Sequence, residues 1–266
     1  MAGERNRLRT TFDEAASLYD EVRPGYPEDL FDDVVSLSGI PAGGGILEIG
    51  CGTGQATVPF ARRGYRILCI ELGENMAAVA RHNLEGYPQA EVRRGAFEEW
   101  PLQEGAFDLA ISATAFHWID PAVAYPKVAR SLREGGSLAL FWNEHVYSDA
   151  SEGFFEEVQR IYEREAPEIV GPDDHRLPRP GEVYDRTAEI EASGMFGGIT
   201  TCHYRWDETY DSEAYLRVLS TYSGHRNLGD DTRTRLFRGI ADLADTKFGG
   251  RIVKGYLTTL YVAQKQ

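Results

Sequence analysis

The stretch ILEIGCGTGQAT, Ile46 to Thr57, decides how the rest of the chain is read. Ile46 to Ile49 is an apolar run broken by one acid, Glu48, the pattern of a parallel strand buried on both faces. Gly50, Gly52 and Gly54 then alternate, and a helix is expected over Thr53 to Arg63, stopped by Gly64. Glycines at a strand-to-helix turn let a ligand approach bare backbone, with free N–H groups aimed at it. A dinucleotide fingerprint wants glycine at the sixth position of GxGxxG. Counted from Gly50 that position is Gln55, and the third glycine comes one residue early.

E-I-G-C-G-T-G resembles the first signature of class I methyltransferases that use S-adenosylmethionine (SAM). The resemblance implies that Gly50, Gly52 and Gly54, with Gln55, cradle the methionine and ribose, and that Glu48 helps hold the methionine amino group. An NAD-dependent oxidoreductase, disfavoured by Gln55, stays open, as does a SAM-binding protein without catalysis. Ile67 to Ile70 reads as the second strand, and Glu71 stands at its carboxyl end, about 20 residues after the glycines. A carboxylate there can accept both ribose hydroxyls. Glu71 therefore supports a nucleoside without choosing between SAM and NAD.

Later landmarks follow in the family's order. Leu72 and Met76, at the head of a helix over Glu74 to Leu84, lie where the family packs the adenine, although a helical methionine is commonly core filler. Glu91 to Arg94 reads as a third strand running into GAFEEWPL, which resembles the family's G-D-A-E-x-L-P-F segment. There the aspartate that takes the adenine amino group is replaced by Ala96, which leaves backbone of Ala96 and Phe97 at the adenine edge. Phe107 to Ser112 is a fourth strand, followed at its carboxyl end by Ala113 and the turn S-A-T-A-F-H-W. Methylases of nucleobase amines or glutamine amides carry [DN]-P-P-[FY] here, so those acceptors are disfavoured. F-H-W resembles a branch that includes trans-aconitate methyltransferase-like proteins. His117 is the candidate general base, since imidazole titrates near neutrality. The preferred reading is that it hydrogen-bonds within the turn, with Trp118 packed beneath. A carboxylate acceptor would need no base.

Upstream, Ala15, Tyr19 and Arg23-Pro24 resemble an A-x-x-Y-x-x-x-R-P-x-Y-P lead segment that precedes the core in small-molecule methyltransferases. The resemblance implies that Tyr19 and Arg23 reach the methionine carboxylate; a surface arm is the alternative. Pro27-Glu28-Asp29 fits a helix start and Gly39 its end. Asp120-Pro121 starts another helix, and L-R-E-G-G-S-L-A-L leads into a fifth strand over Ser137 to Asn143. Strands and helices in alternation after the first glycine turn give the doubly wound pattern. Phe154 to Ala166 reads as an amphipathic helix, followed by a stretch bearing Pro167, Pro172, Pro178 and Pro180. Thr200 to Tyr210 alternates as a strand, Ser212 to Tyr222 and Asp231 to Phe248 read as helices, and Tyr256 to Ala263 as a last strand.

The expected fold is thus a Rossmann-like α/β domain over 1–266: a doubly wound, seven-stranded mixed sheet with helices on both faces. Its SAM-binding core is 40–145, a helical lid or insertion is 146–195, and 196–266 completes the sheet with an antiparallel sixth and seventh strand. The expected chemistry is methyl transfer to a small molecule, a carboxylate or hydroxyl, with S-adenosylhomocysteine as product.

Composition narrows the alternatives. A net charge of −14 argues against unaided binding to a phosphate backbone, which needs a basic footprint. No apolar run reaches the roughly 20 residues a bilayer span requires. MAGERNRLRT leads to no apolar stretch and so does not read as a secretory signal. Cys51, Cys69 and Cys202 are too sparse for metal ligation and suggest free thiols in the cytoplasm. No metal is expected, and the oligomeric state is not legible.

Overall fold

Seven strands, β1 (Gly45–Ile49), β2 (Arg66–Glu71), β3 (Ala90–Arg94), β4 (Phe107–Ala113), β5 (Leu132–Val146), β6 (Phe196–Asp211) and β7 (Arg251–Lys265), form one sheet in the order β3-β2-β1-β4-β5-β7-β6. The structure is a computed structural model and describes residues 13–171 and 176–266. The N-terminal decapeptide and Pro172 lie outside the described residues. Strands β1 to β5 pair in parallel, and β7 is antiparallel to both β5 and β6. The two late strands pair antiparallel as expected, but only β7 runs against the others.

Because β1, β2, β4 and β5 are covered on both faces, their residues are apolar almost without a break. Ile46, Ile67, Cys69 and Ile111 face one core; Leu47, Ile49, Leu68 and Ile70 face the other. The first core is closed by α2 (Glu28–Ser38), α3 (Thr57–Arg62) and α4 (Glu74–Asn83), which supply Phe31, Val34, Phe60 and Ala77. These three follow α1 (Ala16–Val22) in the chain. On the opposite face α5 (Pro121–Ser131) lays down Tyr125 and Val128, and α7 (Thr187–Ala192) adds Ile190. Burying each such side chain contributes about 1.5–3 kcal/mol. Gly39 closes α2 in the left-handed region (φ +63°), and the Asp120 carboxylate accepts from Ala122 N at 3.0 Å to cap α5.

A third core joins α6 (Phe154–Glu165) to α8 (Ser212–Leu219) and α10 (Asp230–Lys247), beside the single-turn α9 (Ser223–Arg226). Phe154, Val158 and Ile161 meet Val218, Leu236 and Ile240 there. The helical cap is therefore built from two separated segments, α6 within 146–195 and α8 to α10 after β6.

Other expectations need correction. The helix expected from Thr53 begins only at Thr57, because Gly54 at φ +93° keeps residues 53–56 in the turn. No helix joins β3 to β4; buried Phe97 and Trp100 fill that place, so alternation breaks once. Strands β5, β6 and β7 run longer than expected because they pair with one another, Ser137 to Val146 against Gln264 to Gly255. The helix expected to reach Tyr222 stops at Leu219 and restarts as α9.

Strand β1 lies between β2 and β4, so the chain leaves β1 in one direction and later returns on its other side. Such a switch point leaves a crevice at the carboxyl ends of the strands.

Candidate active site

That crevice is a cavity of about 280 Å³, walled by the residues that follow β1, β2 and β4. The first wall is the glycine turn. Gly50 N donates to Ile70 O at 2.8 Å, and Gly54 N donates to Cys51 O at 2.9 Å. Gly50 has φ +69°, and a Cβ there would sit 2.7 Å from Ala115 Cβ. Gly52, at φ +57°, lines the cavity, and a Cβ on it would meet no protein atom within 4 Å. Gly50 is thus glycine because the fold closes on it, and Gly52 because its bare backbone faces open space.

Glu71 completes this wall. Its Oε2 accepts from Gly52 N and its Oε1 from Gly73 N, each at 2.8 Å, and the residue is 9% exposed. These two bonds hold the group in place at the strand end, where a carboxylate is the acceptor a vicinal diol needs. Beyond it lies an apolar slot lined by Leu72, Met76, Phe97 and Ile119, with the Phe97 ring stacked on Trp100 at 6.3 Å. Asp13 steadies the rim, its Oδ1 accepting from Met76 N at 2.9 Å. A ribose against Glu71 and an adenine in the slot fit this donor set and shape.

The opposite wall comprises Tyr19, Arg23, Tyr26, Gln55, Thr114 and Tyr222, and these six also line a second cavity of about 520 Å³. Arg23 Nε donates to Thr221 Oγ1 at 2.7 Å, and its guanidinium lies 4.1 Å from the Tyr222 ring centroid and 5.0 Å from that of Tyr19. Gln55 Nε2 donates to Arg23 O at 3.0 Å, tying this wall to the glycine turn. Burial raises the phenol pKa of both Tyr19 and Tyr26, keeping them protonated. Tyr26 OH and Thr114 Oγ1 are 2.9 Å apart. Thr114 itself has φ +53°, an outlier for a β-branched residue, retained where β4 ends at the cavity.

His117 lines the first cavity. Its Nδ1 accepts from Trp142 Nε1 at 3.1 Å, because an indole nitrogen only donates. The neutral ring then carries its proton on Nε2, and the lone pair a base needs is already engaged. The turn-shaping reading is the one this geometry matches. Trp118 lies beside the imidazole with ring centroids 4.8 Å apart.

Comparison with known proteins assigns the frame. The sequence pattern of a methyltransferase domain matches residues 47–140. A methyltransferase of Mycobacterium tuberculosis with no characterized activity is 33% identical over 186 residues, 70% of this chain and 72% of that one. The chain belongs to the methyltransferase family. A malonyl-[acyl-carrier protein] O-methyltransferase of Geobacter sulfurreducens is 30% identical over 193 residues, covering 69% of this methyltransferase and 64% of its own length. A solved type II methyltransferase structure from Anaeromyxobacter dehalogenans shares the fold, with a TM-score of 0.61, 21% identity, and coverage of 91% and 97%. The phosphoethanolamine N-methyltransferase 2 of Haemonchus contortus, solved with S-adenosylhomocysteine, shares it at a TM-score of 0.54 and 16% identity, over 95% of this chain and 57% of that one.

Of the site residues named from the sequence, Tyr19, Arg23, Gly50, Gly52, Gln55, Glu71, Leu72, Met76, Phe97, Ala113 and His117 line the first cavity of this methyltransferase. Three do not. Glu48 is fully buried beneath the turn, where its Oε2 accepts from Thr57 Oγ1 at 2.7 Å, so its carboxylate does not reach the cavity. Gly54 turns the chain but does not line it, and Gly95 takes the place expected of Ala96 because Ala96 opens the following turn, its O accepting from Trp100 N. Tyr26 and Tyr222 were missed, although Tyr26 sits in the lead segment that resembles the family; Thr114 and Asp13 carry no signal in the sequence. Tyr261 and Lys265 have the Tyr-x-x-x-Lys spacing of some dehydrogenases, but Lys265 bonds Leu132 O and Glu134, and neither residue lines either cavity.

No helix among the described residues is long and apolar enough to cross a membrane. Among them, no three His, Cys, Asp or Glu side chains converge with metal-ligand geometry.

Proposed function

We propose that this methyltransferase transfers the methyl group of SAM to an oxygen of a small-molecule acceptor, a carboxylate or hydroxyl, and releases S-adenosylhomocysteine. The observation that carries the reading is the pair of adjoining cavities with one common wall, the first bearing Glu71 above a glycine turn. Bound SAM supplies an electrophilic methyl group on a sulfonium sulfur. The protein holds the ribose diol on Glu71, the adenine between Leu72, Met76 and Phe97, and the methionine carboxylate on Arg23, which no carboxylate of the described residues pairs.

The acceptor occupies the second cavity, so the two reactants meet at the wall of Tyr19, Tyr26 and Thr114. Holding them in line is worth up to roughly 7–11 kcal/mol of the barrier. The charge of the sulfonium is lost as the methyl departs, so a dry aromatic wall favours the reaction over the separated ions. His117 holds the turn through Trp142 rather than removing a proton, which suits an acceptor that is already ionised. The F-H-W turn and the O-methyltransferase name of the Geobacter relative both support oxygen as the acceptor atom, and the turn supports the trans-aconitate methyltransferase-like branch.

Isothermal titration with S-adenosylhomocysteine, with NADH as control, tests the cofactor. Binding of the first alone, followed by label transfer from methyl-labelled SAM to a carboxylic acid panel, is the expected result. Binding of NADH alone sinks the proposal, and S-adenosylhomocysteine binding without turnover on any acceptor reduces it to a SAM-binding protein.

A further inference from the structure

The second cavity is lined by the end of β5, the inner faces of α6 and α8, Tyr222, His225 and strand β7. Its walls are largely aromatic, with Phe155, Tyr162, Tyr215 and Tyr256 among them. Into this apolar setting the fold places a lysine. Lys254 is 3% exposed; its ammonium donates to Tyr222 OH at 2.7 Å and lies 5.1 Å from the ring centroids of Tyr222 and Tyr256. No ion pair among the described residues includes it. A buried cation held by phenols without an ion pair is costly to keep unless an anion joins it.

Two further polar atoms lining the same cavity point to that anion. His145 Nε2 and Gln159 Nε2 are both buried and have no hydrogen-bond partner. Burial and the neighbouring Lys254 hold the His145 pKa well below its ordinary value, so its ring is neutral and, in the Nε2–H tautomer, donates to an anion without adding charge. Glu144 is the one carboxylate of the described residues on this lining. It lies 3.9 Å from Arg186, whose guanidinium offsets its charge, while burial raises its pKa.

We infer that Lys254, His145 and Gln159 form an anion subsite that anchors the methyl acceptor by a carboxylate the reaction leaves unmethylated. None of the three lines the cofactor cavity, so an anion seated on them lies behind the common wall. A carboxylate paired with an ammonium is also a poor nucleophile. The atom that receives the methyl group is therefore a different part of the same molecule, pointed at Thr114 and Tyr26 while the anchor stays on Lys254. The acceptor class is a small acid with a flat or apolar body and a second oxygen nucleophile. This inference rests on the proposed methyl transfer, which it sharpens.

The test is isothermal titration of the full chain with 3-phenylpropionate and with its uncharged amide, each with and without S-adenosylhomocysteine. The acid is expected to bind at least about tenfold more tightly than the amide, the size of one charge-assisted hydrogen bond. Lys254→Met should abolish that preference and leave the affinity for S-adenosylhomocysteine within about twofold of wild type. Equal affinities for acid and amide, no binding of the acid, or a preference that survives in Lys254→Met would each overturn the subsite. The wild-type comparison stands even if the variant does not fold. A preference for the acid with no binding of S-adenosylhomocysteine would keep the subsite and sink the methyl-transfer reading instead.

Discussion

Trp142 donates its indole N–H to Nδ1 of His117, 3.1 Å away, and so fixes the tautomer of the one histidine of the described residues at the cofactor cavity. His117→Asn keeps an acceptor near the position of Nδ1 but has no basicity. It should retain turnover within about threefold, whereas loss of a true general base costs about 10²–10⁴-fold. His117→Ala orphans the indole and should lower stability by about 1–3 kcal/mol. Steady-state kinetics beside thermal melts separate the two roles.

The Glu71 carboxylate takes one backbone N–H on each oxygen, from Gly52 and Gly73. In Glu71→Gln an amide NH₂ must face one of these donors. Affinity for S-adenosylhomocysteine should fall at least about tenfold, with a loss of about 1–3 kcal/mol of stability. Titration calorimetry and chemical denaturation check both numbers; unchanged affinity would remove Glu71 from the ribose site.

Gly50 and Gly52 make a matched pair. Both have positive φ, so alanine at either costs about 1–2 kcal/mol in backbone strain. Gly50→Ala adds a clash with Ala115 and should melt at a clearly lower temperature than Gly52→Ala. Gly52→Ala places its methyl group in open space beside the cavity and should lose ligand affinity out of proportion to its small change in melting temperature.

Much of this arrangement was legible in the sequence because it follows from local requirements. A strand that must be buried on both faces leaves an apolar run at Ile46, and a turn with positive φ leaves glycines, so both can be read directly. Glu71 was legible because a strand end fixes where its side chain goes. Glu48 was misread for the complementary reason. Its neighbours in sequence are those of the site, but alternation along β1 turns it into the core against Thr57 and Cys69. Tyr222 and Lys254 reach the cavities from the far end of the chain, and no local pattern specifies a contact made across so many residues.

Burial raises the Glu48 carboxyl to about 7 from its ordinary 4.5, against the lowering effect of the Thr57 and Cys69 hydrogen bonds. The folded state therefore holds this proton more tightly than the unfolded chain. The stability it contributes is fully present below pH 4.5 and is lost as pH rises through about 7. Glu48→Gln cannot ionise, so it should match wild type near pH 4.5 and exceed it above pH 7, by roughly 3 kcal/mol at most. Melting curves at both pH values provide the check; a constant difference would place the titration elsewhere.

Strand β7 follows the other six in sequence, yet it lies between β5 and β6. A chain emerging from the ribosome in order can assemble β1 to β4, with the glycine turn and Glu71, while β5 and β6 still present two open edges to each other. Closing that gap must wait for β7, and the same strand carries Lys254 and Tyr256 into the wall of the second cavity. The glycine turn and Glu71 can thus be in place on the ribosome before that wall exists. Without β7 the sheet would be left as a sticky, two-edged intermediate rather than a slower enzyme.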